Sequence, residues 1–467
     1  MDAENNTALD ALVAAGLDSE SVHGWAAAEP ARTADITTDR HRYSAFWDRS
    51  TGLIAALPAK SKRSEAEARA ADHIFTVARE SRERFLAVHA AAVYEEITDR
   101  RGRHVRLEDL VYAAAAAIPG LTPSEEEVAA ESRLHQGDKD GVEIDQGIFL
   151  AQTLAVEEAG LHLCHAMLLP RAETAEHLDR FVADGVLDLG TVRLERRGKA
   201  VLLTATNPRF LNAEDTTTLD LMEIAVDVAT LDPVSEIAVM RGGKAEHPKY
   251  QGRNVFGSGI NLTHLYCGKI PFVWFLKRDL GYVHKMLRGV ARPDSLPDDV
   301  RGRGIEKPWV AAVDTFAIGG HCQILLVADY VLAADDAFMT LPARKEGIIP
   351  GFANLRLPRH TGDRIAREAI QYELKLVCDS QQGRLICDEI ASADAMGEAI
   401  DKVVTGLTSA GVVSAVGNRR AFRVGEEPLD LFRRYASVYA REQAYCHFSP
   451  ALIANLERNW DAKNRKA

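Results

Sequence analysis

The stretch from Lys307 to Gly351 limits what this chain can fold into more tightly than any other. Lys307-Pro308 leads into the apolar run Trp309–Val313; a short turn follows, then Gly319-Gly320 and a second apolar run from Cys322 to Val327. The first run reads as a buried strand and the second as a helix. Adjacent glycines between a strand and a helix let backbone N–H groups approach a ligand closely. They also stand at the positive end of the helix dipole, where developing negative charge is stabilised. With a second N–H from elsewhere they would form an oxyanion hole. The other use of such a pair is tight helix–strand packing.

At 467 residues the chain is long enough for more than one region, and 46% hydrophobic with 27% charged residues describes a globular protein. A net charge of −12 argues against general nucleic-acid binding. No run reaches the ~18 apolar residues of a membrane span. The start, MDAENNTALD, lacks the pattern of a signal peptide. Cysteines at 164, 267, 322, 378, 387 and 446 form no CxxC pair. A reduced, cytoplasmic protein is the expectation.

Three regions follow one another. Residues 1–188 are rich in Ala, Glu and Arg with helical periodicity, strongest over 64–93 and 147–169, and read as a helical extension. His162, Cys164 and His165 do not share one helical face, so packing is expected of them and not zinc. Asp138, Asp140 and Gly141 echo a calcium loop, but Phe149 stands where the twelfth-position Glu belongs. No metal site is expected. Residues 189–425 alternate strand and helix, which argues for an α/β core of stacked βαβ units. Strands over 191–195 and 200–204 flank Arg197-Gly198, a helix covers 215–229, a strand covers 236–240, and a helix starts near Leu262. Residues 426–467 read as two helices, over 431–445 and 449–460, forming a C-terminal cover or oligomerisation segment.

A second glycine turn lies at Phe256-Gly257-Ser258-Gly259-Ile260-Asn261. It fails as a dinucleotide fingerprint, because Leu262 occupies the place of the third Gly or Ala. A phosphate-binding loop fails for want of Gly-Lys-Ser/Thr. Two backbone donors aimed at one oxygen remain.

Taken with Asn207-Pro208-Arg209-Phe210-Leu211-Asn212-Ala213 and Ile349-Pro350-Gly351, these turns form an ordered set over about 190–425. That set resembles the crotonase (enoyl-CoA hydratase/isomerase) superfamily. The resemblance implies a spiral of ββα units, a coenzyme A thioester as substrate, and oxyanion donors on Ile260 and Gly320. It implies trimers, often paired into hexamers. Arg209, His247, Pro248, Lys249 and Tyr250 would hold coenzyme A, cations meeting phosphates and Tyr250 meeting adenine. Ser258, Gly259, Asn261, Gly319 and Ile349 would line the same substrate site.

The departures from the family pattern are equally informative. Hydratases of the family use two carboxylates, and the matching positions here are Gln323 and Ala343. An amide is no general base and Ala cannot titrate. With its long helical extension the chain resembles a branch of glycopeptide-antibiotic biosynthesis. That branch oxidises an arylacetyl-CoA with O2, with no metal, flavin or other cofactor. Glu214, at the apparent start of a helix, would bind a ring hydroxyl or help take the α-proton, or simply favour the positive end of that helix. Arg278 would bind the aryl hydroxyls, pair with Glu214 or lie on the surface, and Gln323 would orient substrate or peroxide or be a satisfied polar residue of a buried helix. His321 is a possible base, and Cys322 reads as core. A hydratase, isomerase or thioesterase with relocated acid or base, and a non-catalytic coenzyme A-binding scaffold, are the alternatives.

Overall fold

Helix boundaries in the N-terminal region follow its capping residues. Ser64 accepts the Glu67 N–H while the Glu67 carboxylate accepts the Ser64 N–H, and the helix Glu65–Ile97 starts there. Ser124 and Glu127 do the same for Glu125–Glu131. The region expected as one helix over 147–169 is two, Ile144–Ala155 and Glu157–Leu168. Val156, β-branched and extended at φ −74°, ψ 119°, separates them.

The computed structural model describes residues 2–465, in two units interleaved along the sequence. The first takes in the chain up to Leu163, together with Cys267–Val273 and Ser437–Pro450. The second takes in Cys164–Tyr266, Trp274–Ala436 and the chain from Ala451 onward. Trp25, Tyr43, Phe46, Trp47 and Phe85 form an aromatic core in the first unit. The indole N–H groups of Trp25 and Trp47 donate to Ser50 Oγ (2.9 Å) and Ser81 Oγ (2.8 Å), which removes the cost of burying them. The segment 437–450 is anchored in this unit by Arg441 Nε on Glu83 Oε1 (2.8 Å) and by Gln136 Nε2 on the His447 carbonyl (2.7 Å). The His162 Nδ1 and Tyr94 hydroxyl share a hydrogen bond of 2.8 Å, and Asp140 pairs with Arg63. Among the described residues no three His, Cys, Asp or Glu side chains converge as a metal site. No single described helix is long and apolar enough to cross a membrane.

The second unit is built on a seven-stranded sheet whose spatial order follows the chain. Its strands are β1 (Val186–Asp188), β2 (Val192–Arg197), β3 (Ala200–Ala205), β4 (Ile237–Gly242), β5 (Trp309–Val313), β6 (Tyr330–Ala334) and β7 (Glu389–Ala391). β1 to β3 are antiparallel and β3 to β7 parallel. The β2–β3 hairpin closes with Arg197 opposite Ala200, and Gly198 takes φ +56° in its turn. β5 is buried at every position, as its unbroken apolar run requires of a central parallel strand.

After β5 the chain adds Phe316–Ile318 to a second, three-stranded sheet, then forms the helix Gly320–Leu325. After β6 it adds Phe338–Thr340 beside it and forms Ala343–Glu346. Each turn therefore deposits two strands and then a helix, and not the simple βαβ alternation expected from the residues alone. Three-residue strands are too short to display a two-residue period.

Two buried charges hold this unit together. The Lys307 ammonium donates to the carbonyls of Ala229 (2.9 Å) and Asp232 (2.5 Å) and to Ser235 Oγ (2.8 Å). It thereby satisfies the carboxyl end of the helix Leu219–Leu231. Glu427 accepts two hydrogen bonds from Arg356 (3.0 and 2.9 Å) and one from Arg359 (2.7 Å). Burial alone would raise its carboxyl pKa, but Arg356 and Arg359 outweigh that and hold it at about 2. Folded and lowered, this group contributes stability that is complete above its ordinary value of 4.5 and disappears as pH falls towards 2. The contribution is about 3 kcal/mol. Glu427→Gln should cost about 3–5 kcal/mol in urea unfolding at pH 7, with the difference from wild type shrinking below pH 4.

Candidate active site

Two glycine turns and one arginine define the site, all within the second unit. Leu211 and Asn212 sit in the left-handed region at φ 55° and 57°. The Asn212 amide nitrogen ties that kink to the carbonyls of Gly243 (2.8 Å) and Val255 (2.7 Å). The chain then runs extended, and Glu214 pairs with Ile260 in a parallel bridge. Its N–H donates to the Gly259 carbonyl and its own carbonyl accepts from the Asn261 N–H, each at 2.8 Å. Glu214 is therefore not at the start of a helix, as its sequence neighbours had implied. Asp215 forms a turn with Thr217 (2.9 Å to N–H, 2.6 Å to hydroxyl), and the helix begins only at Leu219.

The second turn packs against the first. Gly319, at φ +55°, donates to the Thr340 carbonyl (2.9 Å) and accepts from the Gln323 N–H (3.2 Å). A Cβ on Gly259 would stand 2.9 Å from the Ile318 carbonyl and 3.2 Å from the Gly320 nitrogen. A Cβ on Gly320 would stand 2.7 Å from Glu214 Oε2. Side chains at either position would force the turns apart. Among the described residues neither the Ile260 nor the Gly320 N–H has an acceptor. The geometry keeps both expected donors free.

Arg278, from the helix Val273–Leu280, is buried beneath the turns. Its Nε donates to both Glu214 oxygens at 2.9 Å. Nη1 donates to Asp279 Oδ1 (2.7 Å) and Gln323 Oε1 (2.9 Å), and Nη2 to the Gly320 carbonyl (2.7 Å). The Tyr282 hydroxyl donates to Glu214 Oε1. Burial would raise the Glu214 carboxyl, but Arg278 foremost, with Tyr282, holds it below the usual carboxylate range. Burial raises the Tyr282 hydroxyl well above its ordinary value, so it stays a donor. Gln323 is a neutral member of this network, and Ala343 is buried apolar surface. The site thus presents the Glu214 carboxylate and, behind Arg278, that of Asp279, two open backbone N–H groups, and no facing pair of carboxylates at the hydratase positions.

The structure brings together Glu214, Ile260, Arg278, Gly320 and Gln323. Side chains of two further expected residues serve the scaffold. Ser258 Oγ donates to the Phe210 carbonyl (3.0 Å), and Asn261 Nδ2 donates to Asp215 Oδ2 (2.9 Å). Arg209 is exposed, its guanidinium 5.0 Å from the Phe210 ring centroid. His247, Pro248 and Lys249 form an exposed turn, and Tyr250 packs edge-on to Phe316 at 5.1 Å. Ile349 is half-buried between the helices Ala343–Glu346 and Ala353–Thr361. Cys322 is core, its thiol pushed up to about 12 by burial. The site residues the sequence reading missed are Tyr282 and Asp279. Tyr282 lies four positions after Arg278, a spacing that could have found it. Tyr282→Phe removes one donor from a buried carboxylate and should cost about 1.5–3 kcal/mol in denaturant unfolding, with the fold retained by circular dichroism.

The enoyl-CoA hydratase/isomerase family model matches residues 298–423. A (3,5-dihydroxyphenyl)acetyl-CoA 1,2-dioxygenase from Amycolatopsis orientalis is 46% identical over 405 residues, covering 86% of this chain and 92% of that protein. A carnitinyl-CoA dehydratase from Citrobacter koseri is 22% identical over 52% of this chain and 85% of its own. Among solved structures, an enoyl-CoA hydratase from Mycobacterium avium subsp. paratuberculosis K-10 is 21% identical, with a TM-score of 0.47 over 58% of this chain and 98% of that one. On the near full-length 46% match, and with both glycine turns in place, the chain belongs to the enoyl-CoA hydratase/isomerase (crotonase) family.

Proposed function

We propose that this protein is a dioxygenase that converts (3,5-dihydroxyphenyl)acetyl-CoA and O2 into 3,5-dihydroxyphenylglyoxylate and free coenzyme A, without metal or flavin. The observation that carries the proposal is the Arg278 network. It leaves the oxyanion donors open while Gln323 and Ala343 stand where a hydratase needs its carboxylates. The similarity to the Amycolatopsis dioxygenase supports the same choice of chemistry.

Loss of an α-proton turns the thioester into an enolate with its charge on the carbonyl oxygen. The Ile260 and Gly320 N–H groups stabilise that charge more than the neutral carbonyl, which lowers the barrier. The electron-rich aryl enolate is itself the reductant of O2. The peroxide formed at the α-carbon attacks the thioester carbonyl and expels the thiol; loss of the second α-proton then breaks the O–O bond, giving the α-keto acid with both oxygen atoms. Glu214, held ionised, is a weak base and a strong acceptor for an aryl hydroxyl. Arg278 and Gln323 orient the ring and the peroxide. Arg209, His247, Pro248, Lys249 and Tyr250 receive the nucleotide end of coenzyme A. A cytoplasmic homotrimer or hexamer completes the proposal.

Metal-stripped protein given the thioester and 18O2 should consume O2, release one thiol per O2 and form a product heavier by two 18O atoms. No O2 uptake, or activity only after a metal is restored, would overturn the proposal. Water addition without O2 would identify a hydratase, and binding without turnover a scaffold. Glu214→Gln and Arg278→Lys should each lower kcat on the order of tenfold or more while coenzyme A affinity changes little. Unchanged turnover in both would return them to a purely structural role.

A further inference from the structure

His321 follows an oxyanion glycine and is buried to 1% exposure, yet it reaches back to the other turn. The Gly259 N–H donates to its Nδ1 at 3.0 Å. The ring stands edge-on to Phe256, with centroids 5.8 Å apart. It occupies the space that Gly257 leaves open: a Cβ there would lie 2.2 Å from Cδ2 and Nε2. Nδ1 is 3.9 Å from Glu214 Oε2. The peptide joining Gly259 to Ile260 carries the proposed donor. Its carbonyl is held by the Glu214 N–H at 2.8 Å, and the peptide before it is held by His321. Between them lies Gly259 at φ +81°, the residue type with the least resistance to a peptide flip. A flip would turn the Ile260 N–H away from the substrate.

We infer that His321 is a positioning residue: its Nδ1 clamps the Gly259 N–H and so fixes the direction of the Ile260 N–H. The inference rests on the enolate chemistry above and deepens it. A clamp of this kind needs an unprotonated Nδ1. Burial, followed by the nearby Arg278, lowers the imidazole pKa to about 4 against the pull of Glu214, so the ring is neutral near pH 7 with its proton on Nε2. A lone pair committed to Gly259 is not free to take the α-proton, which sets His321 apart from a general base.

The test compares His321→Leu, which removes the acceptor, with His321→Asn, whose amide oxygen replaces it near the Nδ1 position. Enolate formation is read without O2, as anaerobic exchange of the α-protons of phenylacetyl-CoA for deuterium; kcat and KM are read with the dihydroxyphenyl thioester and O2. The Leu variant should lose at least about tenfold in exchange and in kcat, short of the ~10²–10³ expected for outright loss of a donor. Its KM should change by less than about threefold. The Asn variant should recover most of both rates. His321→Gly, which removes the ring without adding bulk, replaces the Leu variant if that one does not fold. Exchange as fast as wild type without the acceptor, or equal losses in the Asn and acceptor-free variants, would overturn this inference alone. Wild-type protein that exchanges no α-protons would overturn the enolate chemistry and this inference with it.

Discussion

The Glu214–Arg278 ion pair is the interaction on which the site depends. Taking both ions out of water costs several kcal/mol each, and the pair persists because the guanidinium finds an acceptor for every nitrogen. Those acceptors lie on Glu214, Asp279, Gln323 and the Gly320 carbonyl. One planar side chain therefore locks a strand-like segment, a helix and a glycine turn into one arrangement. A lysine could not match that geometry with a single nitrogen. The same ion pair excludes a Cβ at Gly320, because the space is already filled by Glu214 Oε2 and Arg278 Nη2.

Both glycine turns of the candidate site show one construction. In each, the carbonyl of the donor's own peptide is tied by a backbone N–H, Gly259 by Glu214 and Gly319 by Gln323, while among the described residues the donor N–H is left without an acceptor. Tying the carbonyls restrains the peptide planes, and open N–H groups in restrained peptides are preorganised donors. Such donors need no reorganisation when charge develops on a substrate oxygen. A hydratase would add two carboxylates to this frame. Here Gln323 is committed to Arg278 and Ala343 is packed away, which leaves the frame without a paired acid and base to handle water, as the proposed enolate chemistry requires.

Much of the architecture was legible along the chain. The runs at 200–204 and 309–313 and the hairpin at Arg197-Gly198 announced themselves by composition and spacing, and the two glycine turns by their position between strand and helix. The pairing of Glu214 with Arg278 was one of three readings open from the residues. The division of the helix after Ala155, the short strands Phe316–Ile318 and Phe338–Thr340, and the extended backbone at Glu214 were not legible. Val156 breaks the helix without a Gly or Pro to mark it, the short strands are too brief to show a period, and at Glu214 a contact distant in sequence overrode a local pattern. Glu214 looks like the first residue of a helix until the bridge to Ile260 fixes its backbone.

The amino-acid sequence by itself determined the chemistry that is absent and the backbone that is required. Gln323 and Ala343 cannot act as carboxylates in any fold, and only glycine at 259 and 320 permits turns this close. What the tertiary structure alone decided is how those parts are aimed. Tyr282, Asp279 and His321 acquire their partners only when separate segments meet: Tyr282 on Glu214, Asp279 on Arg278, and His321 across the turn on Gly259. The reason is physical. A side chain's identity fixes which bonds it can make, whereas burial and the direction of its neighbours fix which of them it does make.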